Sequence, residues 1–448
     1  MRLWRQPNIE LCGPHMHESR SEQPFARIGE FVPPTVRMMV TCADERAVSR
    51  RRWVIAHSTA TASPTAFAIA SATAPAGASA GKTKGVPMTT IAARYESDAI
   101  TRLLRAPDEE RDVEWLKEAL QQAVLIELAT IPPYSTALWS IDRTPDMEIE
   151  IYQDIREIIF DEMSHFGLVC NMLTTIGGTP LIADEAVVPK YPGPLPGGVR
   201  PCIRAFLSGL NRDSVELFSE IEKPETPVIT MRAEGLRPGE TYSSIGVFYD
   251  AILDAFRTSQ VEFTGERQVK FPLGAKHGQG NDIVPITKIE DVKKAIKIIK
   301  EQGEGTSTSP ENPFPGKKGE LSHYYTFREM YHGKKLVKNP TTERWEFTGP
   351  VVELPQAHPV AMVPRGGWQN DPVNRPNATT QTLLDGFNET YTDMLQALQD
   401  AWSSPQQPIG KAIGAMGKMR EIAGEIVVIP LPDGSGRTYG PEFLFRRR

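Results

Sequence analysis

Glu162 and His165 stand three residues apart in the run FDEMSHF, a spacing that places both side chains on one face of a helix. Ile155, Ile158 and Ile159 precede the pair and Phe166 and Val169 follow it at helical intervals, so that face is apolar. A carboxylate on an apolar stripe is costly unless it is paired or bound to a cation. Glu127 repeats the situation further upstream, with Ala123, Val124, Leu128 and Ile131 around it at helical spacing. A Glu-x-x-His from one helix with a glutamate from a neighbour is half of a carboxylate-bridged two-metal centre held inside a helical bundle. Carboxylate oxygen and imidazole nitrogen together suit iron, with manganese as the alternative ion. The competing reading of a lone Glu-x-x-His is a surface pair or a hydrogen-bonded core histidine; Glu127 on a second apolar face favours the metal.

The elements that must position these residues are helices. Apolar periodicity predicts helices over Asp112–Ile131 and Met147–Ile176, with Pro132-Pro133 breaking or kinking the first and Gly177-Gly178 stopping the second. Residues 179–212 are dense in Pro and Gly and read as a long ordered crossover loop. Shorter helices follow at Ser214–Ile221, capped by Asn211 or Asp213, then at Ser243–Val261, Ile289–Gln302 and Leu321–Tyr331. Residues 335–375 look irregular, with a short strand at Trp345–Phe347. A final antiparallel pair is expected at Gln381–Trp402 and Pro408–Val428. The organisation is therefore a helical bundle over 95–332 and an irregular segment plus helix pair over 333–448.

Composition excludes several classes. The 448 residues carry a net charge of −6 and a mean hydropathy of −0.33, which argues against a general nucleic-acid binder. No run of apolar residues is long enough for a membrane span. Four cysteines without a C-x-x-C pair exclude a cysteine zinc site or a disulfide-stapled scaffold, and they fit a reducing, cytoplasmic setting. Residues 1–87 differ from the rest, with 11 Lys and Arg against 6 Asp and Glu and a stretch of Ala, Ser, Thr, Gly and Pro over 58–81. Such a segment is expected to be disordered or to precede a true start at Met88. The rival reading is an export leader beginning at Met38 or Met39, with Arg50-Arg51-Arg52-Trp53 and Ala78-Ser79-Ala80 as its twin-arginine-like features.

Several segments in order carry a family resemblance: LKEALQQAVLIELATIPPYSTALWSI, FDEMSHFGLVCNMLTTIGGTP, KYPGPLPGGV, LFSEIEKPE, SSIGVFYDAI, IKEQGEGT, SHYYTFREM, FNETYTDMLQALQDAW and IPLPDGSGRTYGPEF. Together they resemble the ferritin-like domains of iminophenyl-pyruvate dimer synthases, the bacterial enzymes that couple two oxidised tryptophans on the way to violacein and rebeccamycin-type pigments. The resemblance spans residues 95 to 445. It implies an all-α fold, a ferritin-like four-helix bundle with a C-terminal helix pair and long ordered crossover loops. It also implies a second half-site from Glu304 and His323, which completes a metal set of Glu127, Glu162, His165, Glu304 and His323 for one or two iron ions. From the residues alone, Glu304 reads equally as a solvated helix end, with Glu301 as its fallback, and His323 as an ordinary buried histidine among Tyr324, Phe327 and Tyr331.

One departure bears on the site. The third helix of this family is expected to supply a carboxylate where this chain has Val247, and Asp250 or Asp254 would have to compensate. The expected function is a metal-dependent oxidase or oxygenase of secondary metabolism acting on a small molecule derived from an amino acid, indolic or otherwise, as a monomer or homo-oligomer. The alternative is a non-catalytic scaffold or partner-binding module that Val247 has left without a complete site. The two differ in structure: an enzyme needs converging ligands on a pocket, and a scaffold needs its carboxylates neutralised by Arg or Lys.

Overall fold

In the computed structural model, residues 95–144, 147–225, 245–273, 282–314, 319–404 and 408–447 are described. The readings of residues 1–87, as a disordered extension, a mistaken start or an export leader, lie outside them. Nine α-helices occur among the described residues: α1 Ala99–Leu104, α2 Val113–Ser140, α3 Glu150–Thr175, α4 Arg212–Ile221, α5 Ile245–Thr258, α6 Ile289–Gly303, α7 His323–His332, α8 Ala378–Ser403 and α9 Gly410–Ile426. The strands are two-residue antiparallel pairs, Gly193–Pro194 with Arg204–Ala205, Phe271–Pro272 with Asp282–Ile283, and Val337–Lys338 with Trp345–Glu346. None of the described helices is long and apolar enough to cross a membrane.

Helix α2 starts where Asp112 accepts hydrogen bonds from Glu114 N and Trp115 N, at 3.0 and 2.9 Å, filling two of the donors a helix start leaves open. It then runs through Pro132 and Pro133 to Ser140 instead of ending near Ile131. A proline at 133 cannot donate to the carbonyl four residues back. That carbonyl, Ala129 O, instead accepts the Tyr191 hydroxyl at 2.6 Å, so the crossover loop repairs the ladder. The breaker was legible in the sequence and its remedy, 58 residues further on in the loop, was not.

Helices α2 and α3 pack along each other, α5 packs on α6, and α2·α5 and α3·α6 contacts close a four-helix bundle. Its core is formed by apolar stripes: Leu116, Leu120, Val124 and Leu128 on α2, Ile151, Ile155, Ile158, Phe166 and Leu173 on α3, Phe248 and Ile252 on α5, and Val292, Ile296 and Ile299 on α6. Helix α4 is held by a reciprocal cap in which Asn211 Oδ1 accepts from Ser214 N at 3.0 Å and Ser214 Oγ accepts from Asn211 N at 2.9 Å. It pairs with α7, which stops at Gly333 in the left-handed region (φ +68°).

The C-terminal pair α8/α9 packs on the bundle through Asn171 of α3. The Asn171 amide donates to Val269 O and Val284 O, both at 2.8 Å, while its carbonyl accepts Val269 N and the Trp402 indole N–H, both at 2.9 Å. Trp402 is fully buried and meets Phe166 edge-on. Truncating Trp402 to Ala removes a large apolar surface and one of the two donors to the Asn171 carbonyl, so a loss of about 3–5 kcal/mol is expected. Urea denaturation followed by helical circular dichroism measures it; a loss below about 1 kcal/mol would contradict the docking of α8 described above.

Candidate metal centre

Three carboxylates and two imidazoles converge inside the bundle. Glu127 comes from the middle of α2, Glu162 and His165 from α3, Glu222 from the residue that caps the C-terminus of α4, and His323 from the first position of α7. All five are buried. The ligand-type atoms of Glu127, Glu162 and His165 lie within 4.8 Å of one another, and so do those of Glu162, Glu222 and His323. Glu162 belongs to both groups. His165 Nδ1 is 3.4 Å from Glu162 Oε1 and 3.6 Å from Glu127 Oε2, and His323 Nδ1 is 3.0 Å from Glu162 Oε1 and 3.7 Å from Glu222 Oε2.

These separations fit cations. Two ligand atoms each about 2.1 Å from one ion stand about 3.0 Å apart at a right angle and about 3.6 Å apart at 120°. The orientation of the rings agrees. Gln302 Nε2 donates to Asp161 Oδ1 at 3.1 Å, which turns the Gln302 carbonyl toward His165 Nε2 at 2.7 Å. The His323 Nε2 atom faces Asp161 Oδ2 at 3.2 Å. Both Nε2 atoms must therefore carry hydrogen, an assignment that follows from this network, and both Nδ1 atoms face the carboxylates. His323 Nδ1 is buried without an aligned hydrogen bond. A nitrogen lone pair aimed at carboxylate oxygens calls for a cation or a proton between them.

Hydroxyl groups fix the carboxylates. Thr130 Oγ1 donates to Glu162 Oε2 at 2.7 Å, Tyr134 Oη to Glu222 Oε1 at 2.5 Å, and Tyr249 Oη to Glu127 Oε1. Burial and the adjacent carboxylates push both phenols well above their ordinary range, so they remain donors. Among the described residues no Lys or Arg makes an ion pair with Glu127, Glu162 or Glu222. Burial pushes Glu127 up, against the pull of His165 and Tyr249. Burial acts on Glu162 in the same sense, but His165 and His323 outweigh it and hold its carboxyl below the usual range. The imidazoles respond in kind: burial opposes their charge, yet Glu127 and Glu162 push His165 up to about 10, and Asp161, Glu162 and Glu222 push His323 well above its ordinary value.

The expected residues are thus distributed unevenly. Glu127, Glu162, His165 and His323 come together. Glu304 caps the end of α6 on the wall of the same cavity, of about 30 Å³, but stands outside both three-residue groups. Its Oε1 accepts Gly246 N at 2.9 Å near the start of α5, where a Cβ on residue 246 would come within 2.5 Å of the carboxylate. Burial pushes Glu304 up to about 7, against that hydrogen bond. Val247 faces an outer groove, Asp250 is exposed and accepts from Lys300 Nζ at 2.5 Å, and Asp254 accepts from Arg257 at 2.9 Å. Neither aspartate compensates for Val247.

The residue that sequence reasoning missed is Glu222. It follows Val215 and Phe218 at helical spacing, the same signal of a carboxylate in line with an apolar stripe that singles out Glu127. Asp161 was legible in the same way, beside Glu162 on the face of Ile158 and His165. No local pattern announces Gln302.

A family model described as Ferritin-like matches residues 120–332, the stretch that contains every one of these side chains. The fold is ferritin-like. A solved ferritin-like protein from Caulobacter vibrioides aligns with 73% of this chain and 97% of its own, at 20% identity and a TM-score of 0.47. No curated protein matches the chain. In the ferritin-like bundle of this chain the two groups sharing Glu162 occupy the centre, and α8 and α9 lie beyond the matched stretch.

The pKa directions carry a pH dependence for metal uptake. A metal-free chain near pH 7 holds a proton on His165, which is pushed up to about 10, and the carboxylates around His323 push that ring in the same direction, so an ion must displace protons. Uptake should therefore release protons, and apparent affinity should climb as pH rises from about 6 to 9. Isothermal titration with manganese(II) in buffers of different ionisation heat counts these protons. Uptake with no proton release would contradict the arrangement.

Proposed function

We propose that the chain is a metal-dependent oxidase or oxygenase of the di-iron type, with manganese as the alternative ion, acting on an amino-acid-derived small molecule. The observation that carries this reading is Glu162 shared between two buried Glu/His groups, with no Lys or Arg among the described residues in an ion pair with them. Glu127 and His165 would hold one ion, Glu222 and His323 the other, and Glu162 would bridge. A bound ion pair of this kind supplies one-electron chemistry with dioxygen or peroxide at positions left open by the protein ligands. The chain's own contribution is positional. Tyr249 and Tyr134 fix the terminal carboxylates, Thr130 fixes the bridge, and Ile126, Ile221 and Ile299 line the cavity with apolar surface that keeps bulk water away.

Access fits a small molecule. Gly246, Lys300 and Glu304 line both the inner cavity and an open groove of about 570 Å³ between α5 and α6. The finer reading, a reaction like that of the iminophenyl-pyruvate dimer synthases on an indolic substrate in secondary metabolism, is supported by the ordered segments quoted above. One of them, LFSEIEKPE, contains Glu222. A cytoplasmic setting goes with that reading.

The second reading, a non-catalytic ferritin-like module, is favoured by one feature: α5 offers the centre a tyrosine and a glycine, with Val247 where a carboxylate was expected. Elemental analysis of the purified full-length chain separates the two. The enzyme reading expects about two iron ions per chain, falling toward none in Glu162→Ala while the fold persists by circular dichroism. A wild-type chain that takes up no iron or manganese would overturn it in favour of the scaffold.

A further inference from the structure

The two histidines of the centre differ in what their outer nitrogens touch. His323 Nε2 donates directly to the carboxylate of Asp161, whereas His165 Nε2 donates to the neutral carboxamide of Gln302. The same Gln302 donates onward to Asp161 Oδ1, so one buried chain, His165–Gln302–Asp161–His323, spans both halves. All four residues are buried. A carboxylate acceptor polarises an imidazole N–H more strongly than a carboxamide does, and so makes the opposite nitrogen a better ligand. On the inner side the halves are matched closely. Each has one terminal glutamate, each terminal glutamate accepts one tyrosine hydroxyl, and Glu162 is common to both.

From this asymmetry we infer that the two metal positions load in sequence, the His323–Glu222 position first and the His165–Glu127 position second, with Asp161 as the positioning residue that sets the order. The inference rests on the di-metal reading above and deepens it. Asp161 would touch neither ion; it would act through His323 and, one hydrogen bond removed, through Gln302 on His165. The centre would then hold a tight ion on the α4/α7 side and a weaker, exchangeable ion on the α2 side.

The test is titration of the chelator-treated full chain with cobalt(II), read by the visible d–d bands that report the ligand environment. Two resolved steps are expected in wild type, the first about 10–100-fold tighter than the second. Glu127→Gln should keep the tight step and lose the weak one, while Glu222→Gln should lose the tight step. Asp161→Asn should weaken the first step by about 10–100-fold and shift its band, with circular dichroism unchanged. A single unresolved two-ion step in wild type would overturn the inference and leave the di-metal reading standing. So would a tight step that survives Glu222→Gln. Cobalt bound by no variant, wild type included, would defeat the di-metal reading itself and the inference with it. Should Asp161→Asn fail to fold, the Glu127→Gln and Glu222→Gln pair decides alone.

Discussion

Everything in the bundle answers to one electrostatic constraint: Glu162 is buried between two other carboxylates and two imidazoles, with no Lys or Arg among the described residues paired to any of the three acids. Isolated charges in an apolar interior cost far more than a fold can absorb, so the set must hold protons or cations. Without metal, charged His165 and His323 supply part of the compensation, as the upward push on both rings shows. The separations between ligand atoms are those of groups that share an ion. The long helices α2 and α3, the short α4 and the start of α7 can be read as the framework that brings five such residues to one point.

That framework is built in pieces that depend on one another. Helix α2 carries Tyr134 as well as Glu127 and Thr130 because it continues through two prolines, and its ladder there is completed by Tyr191 of the crossover loop. Tyr134 in turn packs against Phe218 and Phe327, with ring centroids 4.7 and 5.2 Å away, while its hydroxyl holds Glu222. A loop residue thus supports the helix that positions a ligand from another helix end. Such coupling makes the site sensitive to changes in segments that never approach it.

Most of the helical order was legible from apolar periodicity, and the Glu-x-x-His with Glu127 was legible because burying acids on apolar stripes is expensive. The parts that escaped have physical reasons. The short helix α1 has too few residues to show a period. The passage through Pro132-Pro133 depends on a hydroxyl distant in sequence. Glu222 sits one residue past a helix whose end at Ile221 was read correctly, so its membership needed the helix to be followed to its cap. The resemblance pointed to Glu304, which lies on the cavity wall but spends a carboxylate oxygen on the Gly246 N–H. Gln302, two residues earlier, was invisible because a buried amide declares itself only through its partners.

The decisive observable is the position of the ions relative to Glu162. Anomalous diffraction at the iron edge from crystals of the iron-loaded chain would locate them. Two peaks about 3.5–4 Å apart, flanking Glu162 with Glu127 and His165 on one side and Glu222 and His323 on the other, are the result predicted. Iron confined to surface carboxylates, with no peak beside Glu162, would contradict it.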